Sequence, residues 1–206
     1  MRFGTVKRRL LLALWLSCIS VTSPGAAPFP EYQRDGLPAI ALIIDDLGNM
    51  RGPGNRVVDL PGPVACSFLP YGKYTDVLAR RAHAQRKEVM LHLPMQAVED
   101  APVMLGKGVL TLDMTEQQFK ATLAHDMAAV PYISGLNNHM GSLLTRHPGN
   151  MAWLMQSIAG RGDLFFVDSR TTSATVAEQL ALEYGITNTA RIFFLDNEPA
   201  PAAVRA

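Results

Sequence analysis

The segment Ala39-Ile40-Ala41-Leu42-Ile43-Ile44-Asp45-Asp46 decides the fold class of this chain. An unbroken apolar run followed at once by two carboxylates is typical of a β-strand that is buried on both faces and ends at a polar turn. Such strands belong to parallel sheets covered by helices, in which functional sites lie at the carboxyl ends of the strands. The segment therefore predicts a strand over 39–44, with Asp45 and Asp46 at its carboxyl end.

The same order of apolar run, turn and amphipathic helix returns along the chain. Further strands are predicted over 64–69, 88–93, 133–136, 164–167 and 191–195, and helices over 75–86, from Thr115 onwards, over 147–159 and over 173–184. Strands that alternate with helices predict an α/β fold with a parallel sheet, either open and doubly wound or curled into a barrel. A long loop over 95–112 interrupts the order, and loops of that length are usually functional.

The composition is that of one globular domain. The chain has 206 residues, of which 48% are hydrophobic and 18% charged, and its formal net charge is +1. This length suits one domain plus an export segment. No basic excess is available to neutralise phosphates, so the composition excludes nucleic acid as a partner. Cys66 is the only cysteine outside the export segment, so we expect no internal disulfide.

Both ends of the chain differ from the segment between them. Residues 1–27 are predicted to be a signal peptide, because basic residues precede an apolar run that is too short to cross a bilayer comfortably. An uncleaved signal anchor is the alternative. A linker over 28–38 and a disordered tail over 199–206 are predicted to flank the domain over 39–198. We therefore expect an exported protein, periplasmic or extracellular, that contacts the membrane only through its signal segment.

Polar residues that could form a site stand at the ends of five predicted strands: Asp45 with Asp46, His92, His139, Asp168 and Asp196. Each alone has a simpler explanation, since aspartates also start turns and a lone histidine in an apolar run is usually a core residue. A parallel sheet, however, brings the carboxyl ends of its strands together. One aspartate with two histidines is a usual ligand set for a hydrolytic divalent metal.

Four motifs resemble, in order and spacing, those of the divergent polysaccharide deacetylase family. They are Ile43-Ile44-Asp45-Asp46-Leu47-Gly48, Met90-Leu91-His92-Leu93-Pro94-Met95, Asn137-Asn138-His139-Met140-Gly141-Ser142 and Phe165-Phe166-Val167-Asp168-Ser169-Arg170-Thr171-Thr172. The resemblance extends from about Ala39 to Glu198. It implies a distorted, incomplete (β/α) barrel with about six strands, related to chitin-oligosaccharide and peptidoglycan deacetylases.

The resemblance also implies a role for each matching residue. Asp45 is expected to be the catalytic base, and Asp46, His92 and His139 are expected to bind a divalent metal, for which zinc is the expected identity. Four further residues are expected to support the ligands or orient the substrate: Asn138, Asp168, Arg170 and Asp196.

The family pattern continues beyond the sixth strand with a further helix, a strand that ends in Gly-His-Pro, and a closing helix and strand. This sequence stops at Ala206, so we expect a fragment or a truncated product. Such a chain would leave an open sheet edge through which it could associate with itself, and catalysis would be impaired.

Two functions from different classes follow. The first is an exported metal-dependent hydrolase that removes acetyl groups from N-acetylated sugars of a polysaccharide. The second is a non-catalytic carbohydrate-binding or envelope-associated protein that retains the deacetylase fold. Metal content and acetate release distinguish the two.

Overall fold

The structure is a computed structural model that describes residues 39–98 and 106–196. The predicted signal peptide over 1–27 and the disordered tail over 199–206 lie outside the described residues. The linker predicted over 28–38 lies outside them as well. The described residues belong to one compact unit.

Six strands form one sheet: β1 Ile43–Leu47, β2 Ala65–Phe68, β3 Glu88–Met95, β4 Gly135–Met140, β5 Phe165–Asp168 and β6 Asn188–Ala190. Every neighbouring pair is parallel, and the spatial order β1-β2-β3-β4-β5-β6 equals the order in the chain. The predicted α/β fold is confirmed as an open parallel sheet, as expected of an incomplete barrel. All carboxyl ends therefore meet at one edge of the sheet.

Five α-helices connect the strands: α1 Arg51–Val58, α2 Thr75–Ala84, α3 Glu116–Ala129, α4 Pro148–Arg161 and α5 Ala177–Glu183. The capping box predicted at Thr115 opens α3, because the Thr115 hydroxyl accepts from the Gln118 backbone while the Gln118 side chain accepts from the Thr115 backbone. Gly162 ends α4 in the left-handed conformation, with φ of 72°. None of the helices in the described ranges has the length and apolarity that a membrane span requires.

The core lies between the sheet and these helices. Strand residues such as Phe68, Leu91 and Phe166 are completely buried, and Phe119 of α3 and Leu154 of α4 pack against the same core. Each large apolar side chain that is fully buried stabilises the fold by about 1.5–3 kcal/mol. The core therefore holds the strand ends in fixed positions, which a site built from several strands requires.

The first strand departs from the prediction. It begins at Ile43 rather than at Ala39, and Ile40 is 96% exposed, so the run is not buried on both faces. The physical reason is position: β1 is the outermost strand of the described sheet and has a neighbour only in β2. Asp45 and Asp46 consequently lie inside the strand and not after it.

The sixth strand was predicted at the wrong residues. It covers Asn188–Ala190, and the predicted stretch 191–195 forms no strand. Its partner β5 ends at Asp168, which pairs with Ala190. Residues 191–195 therefore have no residues of β5 left to pair with. Ile192, which follows, is 82% exposed. High β-propensity alone therefore did not produce a strand there.

Helix α1 was not predicted, because Gly52-Pro53-Gly54 has the composition of a turn. Pro53 falls in the first turn of the helix, where a backbone N–H has no partner within the helix, so proline is tolerated there. Gly54 is buried against α2, and a Cβ at this position would lie 2.4 Å from Leu78 Cδ1. The glycine therefore permits close packing of the two helices.

Candidate metal centre

A β-bulge in β1 brings both aspartates to one site. Ile44 pairs with Cys66 and Leu47 with Phe68, so β1 has one residue more than β2 over this stretch. Asp46 takes a left-handed backbone conformation with φ of 59°. Consecutive residues of a regular strand point to opposite faces, whereas a bulge redirects a side chain. As a result, Asp45 Oδ1 lies 3.5 Å from Nδ1 of His92, and Asp46 Oδ1 lies 3.3 Å from Nε2 of the same ring.

Three predicted metal ligands form a small triangle of donor atoms. His139 Nδ1 lies 2.9 Å from Asp46 Oδ1 and 3.1 Å from His92 Nε2, and His92 Nε2 lies 3.3 Å from Asp46 Oδ1. Around a tetrahedral zinc ion with bonds of about 2.0–2.1 Å, neighbouring ligand atoms stand about 3.3 Å apart. The two imidazole rings meet edge to face at 69°, so two ring nitrogens can point at one position. The donor set therefore fits a divalent metal.

The three side chains differ in exposure. His92 is buried, and His139 is half-buried, whereas the Asp46 side chain is 64% exposed. Hydrogen bonds from His139 and His92, together with the charges of those rings, hold the pKa of Asp46 well below its usual range. Asp46 therefore offers a charged oxygen, and the site is open to solvent on the side of β1. A substrate and water can approach from that side.

Asn137 of β4 holds Asp45 and His92 by hydrogen bonds, a role that the sequence did not reveal. Its amide nitrogen donates to Asp45 Oδ1 at 2.8 Å, and its amide oxygen accepts from the Ser67 hydroxyl at 2.6 Å. His92 Nδ1 lies 3.0 Å from the same amide oxygen, which can only accept, so Nδ1 carries the proton. In the neutral ring the lone pair of His92 is then on Nε2, where it faces Asp46 and His139, whereas in the protonated ring Nε2 donates to Asp46.

Sheet register explains why Asn137 and Ser67 were missed. His92 pairs directly with Asn137, and Ser67 of β2 pairs with Met90. Ser67 and Asn137 are both buried and lie inside their strands rather than at the strand ends. The signal that could have identified Asn137 is a polar residue in the strand next to His92, but only a known register places it opposite the histidine.

The other predicted site residues lie around the ends of β4 and β5. Asn138 accepts from the Ser169 backbone and donates to the Met140 carbonyl, at 2.8 and 2.7 Å. Asp168 accepts from the Arg170 backbone and from the Thr175 hydroxyl, each at 2.8 Å. These bonds brace the loops that follow the two strands, and among the described residues neither side chain contacts the donor triangle.

Arg170 and Asp196 form no hydrogen bond or ion pair with the triangle among the described residues. Arg170 has a strained backbone with φ of 46°, and its exposed guanidinium has no hydrogen bond or ion pair within the described ranges. Asp196 was expected at the end of a strand over 191–195. Because β6 ends at Ala190, Asp196 instead lies in an exposed turn well beyond the strand.

A cleft adjoins the triangle at His139. We call it the His139 cleft; it has a volume of about 340 Å³ and its lining includes His139, Met95, Tyr71 and Lys107. Lys107 belongs to the loop 95–112 that was predicted to be functional. Cys66 is buried, and burial raises the pKa of its thiol to about 11, which excludes it as a nucleophile.

Comparison with known proteins places these residues in a family. The family model described as divergent polysaccharide deacetylase matches residues 42–206. The uncharacterized protein YibQ of Escherichia coli (strain K12) is 32% identical over 166 residues, which are 81% of this chain and 51% of YibQ. An uncharacterized protein of Haemophilus influenzae is 32% identical over 158 residues, 77% of this chain and 55% of that protein. The chain thus spans about half the length of these curated relatives.

Solved structures support the fold alone. An uncharacterized protein from Agrobacterium tumefaciens C58 superposes with a TM-score of 0.75 at 19% identity, covering 80% of this chain and 67% of that one. The Lactam Utilization Protein from Thermus thermophilus gives a TM-score of 0.51 at 16% identity, covering 79% of this chain and 71% of the other.

Proposed function

The chain belongs to the divergent polysaccharide deacetylase family, and from this membership and the site geometry we propose that it is a metal-dependent hydrolase that removes acetyl groups from N-acetylated sugars. The observation that supports this proposal most directly is the triangle formed by Asp46, His92 and His139, with Asp45 beside it. The triangle opens into a cleft large enough for part of a sugar chain.

Asp46, His92 and His139 would hold the metal through one oxygen and two nitrogen atoms. Two imidazoles and one carboxylate are donors that suit zinc. When bound, the cation supplies Lewis acidity, which polarises an acyl carbonyl and makes water more acidic. The protein's own contribution is rigidity, because the donor atoms come from three strands anchored in the core.

Asp45 would act as the base. The Asn137 amide fixes one of its oxygens at 2.8 Å, and the side chain is 34% exposed, so water can reach the carboxylate. Asp45 takes the proton from the water that attacks the acyl carbonyl and passes it to the amide nitrogen as the C–N bond breaks, so the products are acetate and a free amine. Asn137 thereby keeps Asp45 oriented. The second carboxylate oxygen of Asp45 forms no hydrogen bond among the described residues.

Acetate release tests the reaction. The purified chain, loaded with zinc, should release acetate from N-acetylchitotetraose. Asp45→Asn keeps the size of the side chain but cannot accept the proton, so the rate should fall by roughly 10²–10⁴-fold while zinc remains bound. Metal content is measured by elemental analysis and acetate by an enzyme-coupled assay.

Three results would contradict parts of the proposal. Loss of zinc in Asp45→Asn would make Asp45 a ligand and reverse the roles of the two carboxylates. Zinc binding without acetate release would favour the carbohydrate-binding alternative. A protein that binds no divalent metal would contradict the metal-dependent mechanism.

We also propose that the protein acts outside the cytoplasm, where polysaccharide substrates are found. The support for this is the basic and apolar pattern of residues 1–27. Fractionation of cells that express the full chain with a carboxyl-terminal tag tests the proposal, and recovery in the cytosolic fraction alone would contradict it.

A further inference from the structure

Lys107 brings a positive charge into the His139 cleft. Its ammonium group stands 4.2 Å from the centre of the Tyr71 ring, and it forms no ion pair with any carboxylate in the described ranges. Such a contact with an aromatic face orients the cation without neutralising it. The cleft therefore presents a cation next to the donor triangle.

The buried carboxyl group of Asp126 forms no ion pair with Lys107 in the described ranges. Asp126 of α3 lies beside Tyr71 and is completely buried. Burial raises its pKa to about 7, although Tyr71 and the charge of Lys107 act in the opposite direction. Burial thus opposes the charged form of Asp126, which weakens its ability to neutralise Lys107.

A second cleft holds two arginines. It has a volume of about 420 Å³, and its lining residues are Arg170, Thr172, Ser173, Arg191 and Ile192. Arg191 is fixed by hydrogen bonds to the Ser169 and Arg170 carbonyls, at 2.7 and 3.2 Å, and its guanidinium lies 4.7 Å from the Phe194 ring centre. The lining includes no carboxylate, and among the described residues the Arg170 guanidinium forms no ion pair or hydrogen bond. We call this the arginine cleft.

The two clefts flank the end of β4. Met140 lines the His139 cleft, and its carbonyl accepts a hydrogen bond from the Thr171 hydroxyl at 2.8 Å. Thr171 lies between Arg170 and Thr172, which line the arginine cleft. His139, adjacent to Met140, is part of the donor triangle. Both clefts therefore adjoin the segment that carries His139, within the reach of a sugar chain whose reacting unit lies at the triangle.

We propose that the substrate is an anionic glycan: an N-acylated sugar chain whose neighbouring units carry carboxylate or phosphate groups that bind Lys107 and the arginine cleft. The proposal rests on the hydrolase function and defines its substrate class. Charge-assisted hydrogen bonds from Lys and Arg to carboxylate or phosphate are about twice as strong as neutral ones, and the guanidinium fork binds both groups in bidentate fashion. A neutral glycan would leave Lys107 and Arg170 without an anionic partner in the described ranges.

Three probes of equal length test the proposal: N-acetylchitotetraose, its 6-carboxyl derivative and its 6-phosphoryl derivative. Titration calorimetry with the zinc-loaded full chain should give at least about tenfold tighter binding for an anionic probe than for the neutral one. The advantage should shrink when the ionic strength rises from about 0.05 M to about 0.5 M. The stronger of the two anionic probes identifies the substituent as carboxylate or phosphate.

Matched variants locate the effect. Lys107→Ala and Arg170→Ala should each lower the ratio of anionic-probe affinity to neutral-probe affinity by about fivefold to tenfold. Lys107→Arg should keep the wild-type ratio. Lys73→Ala is the control: it removes the same charge from a lysine that also lies over a tyrosine ring, at 5.5 Å, but that does not line either cleft. This control should retain the full advantage.

Equal affinity for the three probes would overturn the proposal, and so would an anionic advantage that survives in both alanine variants. The hydrolase function is scored separately by acetate release. Rapid release from the neutral probe, with no anionic preference, would leave the hydrolase standing and overturn the anionic substrate. Tight anionic binding without acetate from any probe would contradict the hydrolase and support the anion-binding clefts.

Discussion

At the scale of single residues, two adjacent asparagines have different roles. Asn137 bonds to Asp45 and His92, while Asn138 bonds to the backbone of the loops after β4 and β5. Asn137→Ala should therefore weaken zinc binding by about tenfold or more, because His92 loses the group that fixes its tautomer. Competition with a chromophoric chelator measures this.

Asn138→Ala serves as the matched control. It should reduce the free energy of unfolding by about 1–3 kcal/mol, since it leaves a buried N–H unpaired, and it should change zinc affinity little. The reverse pattern, with zinc binding lost only in Asn138→Ala, would show that Asn138, and not Asn137, holds the zinc-binding side chains in place.

Asp126 makes stability depend on pH. Burial raises its folded-state pKa from the ordinary 3.8 to about 7, so the folded protein holds a proton that the unfolded chain has lost over this range. The stability that Asp126 contributes is complete below about pH 4 and is lost as the pH rises through about 7. Asp126→Asn carries no charge at any pH. The free energy of unfolding of Asp126→Asn, relative to that of wild type, should therefore rise by roughly 2–4 kcal/mol when the pH is raised from 4 to 8. Urea unfolding at the two pH values measures this. A constant difference between the two proteins would contradict the assignment.

At the scale of secondary-structure elements, the packing of α1 on α2 depends on one glycine. A Cβ at Gly54 would lie 2.4 Å from the buried Leu78 side chain, whereas a Cβ at Gly52 would meet nothing closer than 4.0 Å. Gly54→Ala should therefore destabilise the fold by about 1–3 kcal/mol through overpacking. Gly52→Ala, in the same helix, should stabilise it by about 0.5–1 kcal/mol. Thermal unfolding compares the two, and equal effects would show that the contact with Leu78 is unimportant.

Elements with a strong local pattern were predicted correctly. The second strand was expected over 64–69 and covers Ala65–Phe68, and the fifth was expected over 164–167 and covers Phe165–Asp168. Their apolar runs are bounded by turn residues, so local information suffices. Helix α1 and strand β6 depend instead on contacts with α2 and on the length of β5, which no local pattern contains.

At the scale of the whole molecule, the metal would join distant parts of the chain. Asp46, His92 and His139 come from β1, β3 and β4, so an ion bound to all three should stabilise the folded state. At a free zinc concentration of 100 times Kd, stability should rise by about 2.7 kcal/mol. Asp46→Ala, His92→Ala and His139→Ala should each lower zinc affinity at least about tenfold and so reduce this gain.

Asp196→Ala is the control for these variants, because Asp196 lies in an exposed turn away from the triangle. It should keep the wild-type rise in melting temperature with zinc. An unchanged response in His139→Ala would show that another group is the third ligand.

Self-association through the sheet edges stays a prediction; Ile192 and Phe193, exposed by 82% and 79%, are the residues beside β6 that it would cover.

The sequence by itself determined the α/β class, the parallel sheet and four of the polar residues that meet at its edge: Asp45, Asp46, His92 and His139. These follow from hydrophobic periodicity and from the chemistry of strand ends, both of which are local. Only the tertiary structure decided that a bulge with Asp46 at φ of 59° turns both aspartates towards His92. It also decided that Asn137, opposite His92 in the register, donates a hydrogen bond to Asp45. Bulge and register depend on which residues pair across strands, and pairing is set by packing of the whole sheet rather than by neighbours in the chain.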